Sequence, residues 1–99
     1  MKKNLKAKLM VNSKEVEMNP FVESYVSNVA IGIVSSLKGV DYINSVEIKQ
    51  EKDSVTIKIN KEDITLTPFP SDIIISTIKG LVSSLKGVND IKTIEIHLK

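Results

Sequence analysis

Ser35-Ser36-Leu37-Lys38 and Ser83-Ser84-Leu85-Lys86 carry the sharpest chemical suggestion in the chain. Both match S-x-x-K, which sets a lysine one turn from a serine hydroxyl and begins the active-site helix of penicillin-recognising enzymes. There the lysine activates the serine, and S-D-N and K-T-G motifs complete the site. Neither partner motif is present, because Lys92-Thr93-Ile94 lacks the glycine. Both tetrads also fall at the end of a helical stretch rather than its start. A polar last turn whose Lys complements the helix dipole is the preferred reading. The longer run GIVSSLKG resembles a phosphate loop in glycine content alone, since that loop needs the order Gly-Lys-Ser/Thr and this run has Lys-Gly.

The remaining candidates are weaker. His97 is the single histidine, and one imidazole without a partner set makes neither a metal site nor a general base, so it reads as an exposed surface residue. The acid pairs Glu15/Glu17, Glu51/Asp53 and Glu62-Asp63, with Asp41, fall in turns or on an outward strand face. They lack the long Asp/Asn-rich run with glycine that a calcium loop requires. Lys2, Lys3, Lys6 and Lys8 read as a solubilising basic tail. Phe21, Tyr25, Tyr42 and Phe69 are the only aromatics, and none sits mid-strand where a nucleic-acid sheet displays its stacking platform. With no Cys there is no disulfide, thiolate metal site or thiol nucleophile, and with no Arg there is no bidentate guanidinium clamp.

The elements that would position these residues come in two copies. A shift of 48 residues lays Lys6–Glu51 over Ser54–Lys99 without a gap. Asn12 then meets Asn60, Pro20-Phe21 meets Pro68-Phe69, and GIVSSLKGVDYINSVEI meets GLVSSLKGVNDIKTIEI, giving 14 identities in 46 positions. In each copy a period-two strand (Leu5, Ala7, Leu9 and Val11 inward) is followed by turn chemistry at Asn12-Ser13-Lys14 or Asn60–Asp63 and a second short strand. A helix follows, Pro20–Lys38 or Pro68–Lys86, with Asn19 and Thr67 as caps and Gly39 and Gly87 as C-terminal stops; the second helix has Ser71 as an alternative start. A last strand closes each unit. The expected fold is α+β: a tandem ββαβ duplication, six strands with two helices packed together and one sheet face solvent-exposed. Repeat one spans 6–51 and repeat two 54–99, in a single domain of 99 residues with 41% apolar and 26% charged content. Tight hairpins in each copy and a short hairpin link from Gln50 to Ser54 would make the two helices run parallel; if that link is not a hairpin, they run antiparallel.

VNSKEVEMNPFVESYVSNVAIGIVSSLKGV resembles the hairpin-to-helix segment of short uncharacterised prokaryotic proteins built from a single such unit. The resemblance implies that one unit exists as a homodimer and that this chain is a fused pair. It implies no activity. Pro70, where repeat one has Val22, points to specialisation of the copies.

On the first helix Val22, Val26, Val29, Ala30, Ile33 and Leu37 form the expected core arc, with Ser24, Ser27, Ser35 and Lys38 wet. Asn28-Gly32-Ser36 recurs as Ser76-Gly80-Ser84, a stripe of small residues that would let a neighbouring backbone approach at Gly32 and Gly80. The expected function is a small non-enzymatic binding or assembly module, homo-oligomeric or engaged with a protein partner. Surplus apolar residues near the wet arc, such as Ile31 and Ile75, favour it. The alternative is a small-ligand site in the helix–helix seam lined by Asn28, Ser36, Ser76 and Ser84. No cofactor or metal is expected and nucleic acid is disfavoured. No stretch reaches the roughly 20 apolar residues of a membrane helix, and the N-terminal stretch lacks a signal peptide's apolar core, so a cytoplasmic location is expected.

Overall fold

A computed structural model describes residues 6–37, 42–66, 68–85, 88 and 90–99, with the backbone alone at 68–70. Among them the chain runs β1 (Ala7–Val11), β2 (Lys14–Val16), α1 (Pro20–Ser35), β3 (Val46–Glu51), β4 (Ser54–Ile59), β5 (Glu62–Ile64), α2 (Pro68–Ser83) and β6 (Thr93–Leu98). The fold is α+β: one open six-stranded sheet in the order β2-β1-β6-β3-β4-β5, antiparallel throughout, with two helices.

Two-residue turns make the outer hairpins. Asn12 and Ser13 (φ 53 and 68) and Asn60 and Lys61 (φ 54 and 70) sit in the left-handed region, which matches the twist of the flanking strands and which Asn tolerates well. Each asparagine also reaches across to the entry of a central strand. Asn12 Oδ1 accepts from the Lys92 and Thr93 amides at 2.7 and 3.1 Å, and its Nδ2 donates to the Asp90 carbonyl at 2.8 Å. Asn60 Oδ1 accepts from the Asn44 and Ser45 amides at 2.6 and 3.1 Å, and its Nδ2 donates to the Tyr42 carbonyl at 3.0 Å. These six bonds tie each outer hairpin to the entry of a central strand, and β3 and β6 pair with each other in the middle of the sheet, with Ile48 opposite Ile96.

The strand order fixes where the helices begin. β1, β3 and β5 share one direction, and β2, β4 and β6 the other. β2 and β5 therefore deliver the chain to opposite ends of the sheet, and α1 and α2 start from those opposite ends. The β3–β4 link is a hairpin, but that does not make the helices start together, because β3 runs parallel to β1 rather than returning against it.

At its start α1 has the expected cap: Asn19 Oδ1 accepts the Val22 amide at 2.8 Å, and Pro20 occupies the first turn. Both helices end earlier than the sequence suggests, at Ser35 and Ser83, as the amides of Ser36 and Ser84 turn back to the carbonyls three residues earlier. α2 begins at Pro68, not Ser71. Thr67, Lys38, Gly39, Lys86 and Gly87, expected as caps, last-turn cations and stops, lie outside the described residues.

The core lies between the helices and one sheet face. Leu9, Ile48, Ile57, Ile94, Ile96 and Leu98 pack under Val26, Ala30 and Val34 of α1 and Ile74, Ile78 and Val82 of α2. The buried stripe of α1 is rotated from the expected arc. Val22, Val29, Ile33 and Leu37 are only half-buried, while Ser27, expected to be wet, is 92% buried with no hydrogen-bond partner for its hydroxyl. Ile31 and Ile75, expected near the wet arc, are half-buried, Ile31 against the core. The helices are not packed tightly on each other: α1 rests over β1 and α2 over β4, with a groove between them.

Candidate functional site

The groove between the helices is the larger of two concavities that bear on function. It has a volume of about 590 Å³ and is lined by Val29, Gly32, Ile33, Ser36 and Leu37 of α1 and its exit, facing Ile73, Ile74 and Thr77 of α2. The second half of α1 thus lies beside the first half of α2. Beyond the groove, the outer side of the helical layer is nearly uncharged: Glu23, Asp72 and Lys79 are the only charged residues in the 32 positions of the two helices. Large apolar groups stand out from it. Phe21 is 75% exposed, Tyr25 53% and Ile73 50%, and the Phe21 and Tyr25 rings stack with centroids 6.1 Å apart. A layer depleted in charge and bearing aromatic groups has the composition of an interface core.

The expected site residues divide around this groove. Ser36 lines it, but its hydroxyl donates to the Gly32 carbonyl at 2.9 Å, as Ser84 does to Gly80 at 3.0 Å, so both hydroxyl hydrogens are engaged by their own helices. Asn28, Ser76 and Ser84 are exposed and do not line the groove. Gly32 and Gly80 are exposed too, and a Cβ at either would meet nothing within 4 Å among the described residues. Within the chain, then, the close helix contact expected at these glycines is not formed: Gly32 and Ser36 line an open groove, and the other small residues lie outside it.

The second concavity is on the opposite side of the sheet. His97 lies on a central strand between Lys8 and Glu47, and its side chain is 23% exposed rather than free on the surface. Its Nε2 is 3.1 Å from Glu95 Oε1 and its Nδ1 3.7 Å from Glu47 Oε1; Lys49 Nζ lies 3.5 Å from Glu47 Oε2. Two acids and two basic groups therefore alternate at the middle of this face. Lys58, Lys61 and Lys99 join Glu47 and His97 around a cleft of about 470 Å³. Strand alternation pointed to this outward set, but only the strand order brings β3 and β6 together.

Among the described residues no group of three His, Asp or Glu side chains is placed to hold a metal ion, and no helix is long and apolar enough to cross a membrane. Lys6 and Lys8 of the basic N-terminal cluster lie at the start of β1, with Lys8 Nζ 3.9 Å from Glu15; Lys2 and Lys3 are outside the described residues. Comparison with protein-family models, with curated proteins and with solved structures finds no match to this chain.

Proposed function

We propose that the chain is a small, non-enzymatic assembly module that associates with a second copy of itself through the outer face of its helices. The observation that carries this reading is that face itself: uncharged over nearly all its positions, with Phe21, Tyr25 and Ile73 projecting and Gly32 and Gly80 open. Projections and gaps on one face are what a two-fold interface needs, since the same patch must supply both. The molecule measures 36 × 31 × 18 Å, so its broad face offers about 1,100 Å², above the roughly 800 Å² per partner of a standard interface. The sheet edges are poorer docking sites, because β2 and β5 are three residues long and carry Lys14, Glu15, Glu62 and Asp63.

The same reading takes the chain as a tandem duplication, a fused pair of ββαβ units of the kind that the resemblance to single-unit proteins implies. The ungapped 48-residue register supports it, as do helices of 16 residues starting at Pro20 and Pro68. A cytoplasmic setting belongs to this reading as well.

Light scattering on the eluting protein at several concentrations tests the proposal. The expected result is a dimer that Tyr25→Lys or Ile73→Lys converts to monomer without unfolding. A monomer at all concentrations up to about 100 μM would refute it. A second reading rests on the groove volume, which falls within the range of small-molecule sites. Its lining of Val29, Ile33, Leu37, Ile73 and Ile74 suits an apolar ligand. Native mass spectrometry of a monomer carrying a co-purified molecule would favour that reading over self-association.

A further inference from the structure

The cleft on the sheet face remote from the helices concentrates positive charge at one end of the molecule. Lys58 on β4, Lys61 in the β4–β5 turn, and His97 and Lys99 at the end of β6 surround it. Its single acidic side chain, Glu47, is already paired with Lys49 at 3.5 Å, and His97 Nδ1 lies 3.7 Å from it. Asp63 stands opposite Lys58 in the strand register, yet Lys58, Lys61 and Lys99 form no ion pair among the described residues. In the 48-residue register, the counterparts of Lys58, Lys61 and Lys99 are Met10, Ser13 and Glu51. This group of three lysines therefore has no counterpart in the other repeat and is not a by-product of the repeated pattern.

Lys61 holds φ 70 at the second position of a tight turn, as Ser13 holds φ 68 in the other outer hairpin. The conformation is common to both turns, and at this end it sets a lysine at the mouth of the cleft.

We propose that this cleft binds a small, multiply charged oxyanion of the diphosphate class, held by Lys58, Lys61 and Lys99. His97 and Glu47 form its inner wall. A diphosphate suits the cleft better than a nucleic-acid strand: the volume is bounded at about 470 Å³, and the aromatic rings that would stack bases are absent from the strands.

The test is a titration of the whole chain with inorganic pyrophosphate, followed by backbone amide resonances, with sodium chloride at matched ionic strength as the control. The expected result is saturable shifts confined to residues 45–47, 58–61 and 97–99, with a dissociation constant of about 1 mM or tighter. Lys58→Gln should weaken binding by about 3-fold, the order expected for one partly exposed ion pair. Lys61→Gly should weaken it similarly while raising the melting temperature, because the turn is relieved; the loss of affinity then cannot be blamed on unfolding. Shifts that chloride reproduces, shifts centred outside the cleft, or unchanged affinity in both variants would overturn the proposal. Tighter, salt-dependent binding of a single-stranded oligonucleotide would overturn it too, by making this face a nucleic-acid surface.

Discussion

Removing the Asn60 side chain should destabilise the protein far more than its half-buried turn position suggests. The side chain makes three bonds to the backbone at the entry of β3, two as acceptor at 2.6 and 3.1 Å and one as donor at 3.0 Å. At a net 0.5–1.5 kcal/mol per bond, reduced because the site is open to water, the loss is about 2–3 kcal/mol. Its φ of 54 allows the bonds and the turn to be separated. Asn60→Gly keeps the turn and loses the bonds, and so should cost that 2–3 kcal/mol. Asn60→Ala adds the left-handed penalty of about 1–2 kcal/mol. Asn60→Asp keeps both acceptor bonds and should cost about 1 kcal/mol. Urea titration followed by circular dichroism gives the three values, and the order Asp, Gly, Ala is the signature. Asn12, with its own three bonds on the entry of β6, should show the same order, and the two effects should add because the sites lie at opposite ends of the sheet. If Asn60→Gly lies within about 0.5 kcal/mol of the parent protein, the bonds do not hold β3 in place and the reasoning is wrong.

Ile78→Ala should cost about 2–5 kcal/mol, because Ile78 is fully buried, whereas Ile33→Ala should cost clearly less at its half-buried groove position; chemical denaturation ranks them. Gly32→Ala and Gly80→Ala should each stabilise the monomer by up to about 1 kcal/mol, since the added methyl meets open space. At high protein concentration the same variants should weaken self-association, and light scattering compares the two effects. Gln50 donates to the Ile75 carbonyl at 3.1 Å but leaves its buried Oε1 without a partner; Gln50→Leu should raise stability by about 1 kcal/mol, and a loss of thermal stability would contradict that.

What the sequence made legible follows the range of each interaction. Strand alternation, the Asn19 cap and the position of the outer hairpins depend on neighbours within a few residues, and all were readable. The buried stripe of α1 was not, because Val22, Val26, Val29, Ala30, Ile31, Ile33 and Val34 surround most of the helix and several arcs fit equally well. Packing over β1 selects Val26, Ala30 and Val34 and takes Ser27 inside with them. Asn12 and Asn60 were readable as turn residues, yet their grip on strand entries joins residues up to 81 apart in the chain, a distance at which no local pattern operates. His97 was misread as freely exposed for the same reason. Its cover comes from lying on a central strand, and only the global strand order puts it there. The groove was anticipated as a close seam. Of the small residues, Gly32 and Ser36 line it, while Asn28, Ser76, Gly80 and Ser84 are exposed outside it.

The pairing of β1 with β6 has a mechanical consequence. Lys6 and Lys99 exchange backbone hydrogen bonds of 2.9 and 3.2 Å, so the two segments leave the sheet side by side at the same end. Tension applied through residues 6 and 99 would act across the ladder rather than along it, loading the Lys6–Lys99 bonds first and each following pair in turn. Such a geometry peels open at low force, because the bonds fail in series instead of resisting together. Once β6 has been drawn away from β1, its pairing with β3 comes under the same kind of load. The domain is thus badly suited to bearing tension through these two strands. A contact made on the helical face, as proposed above, would leave this weak seam unloaded.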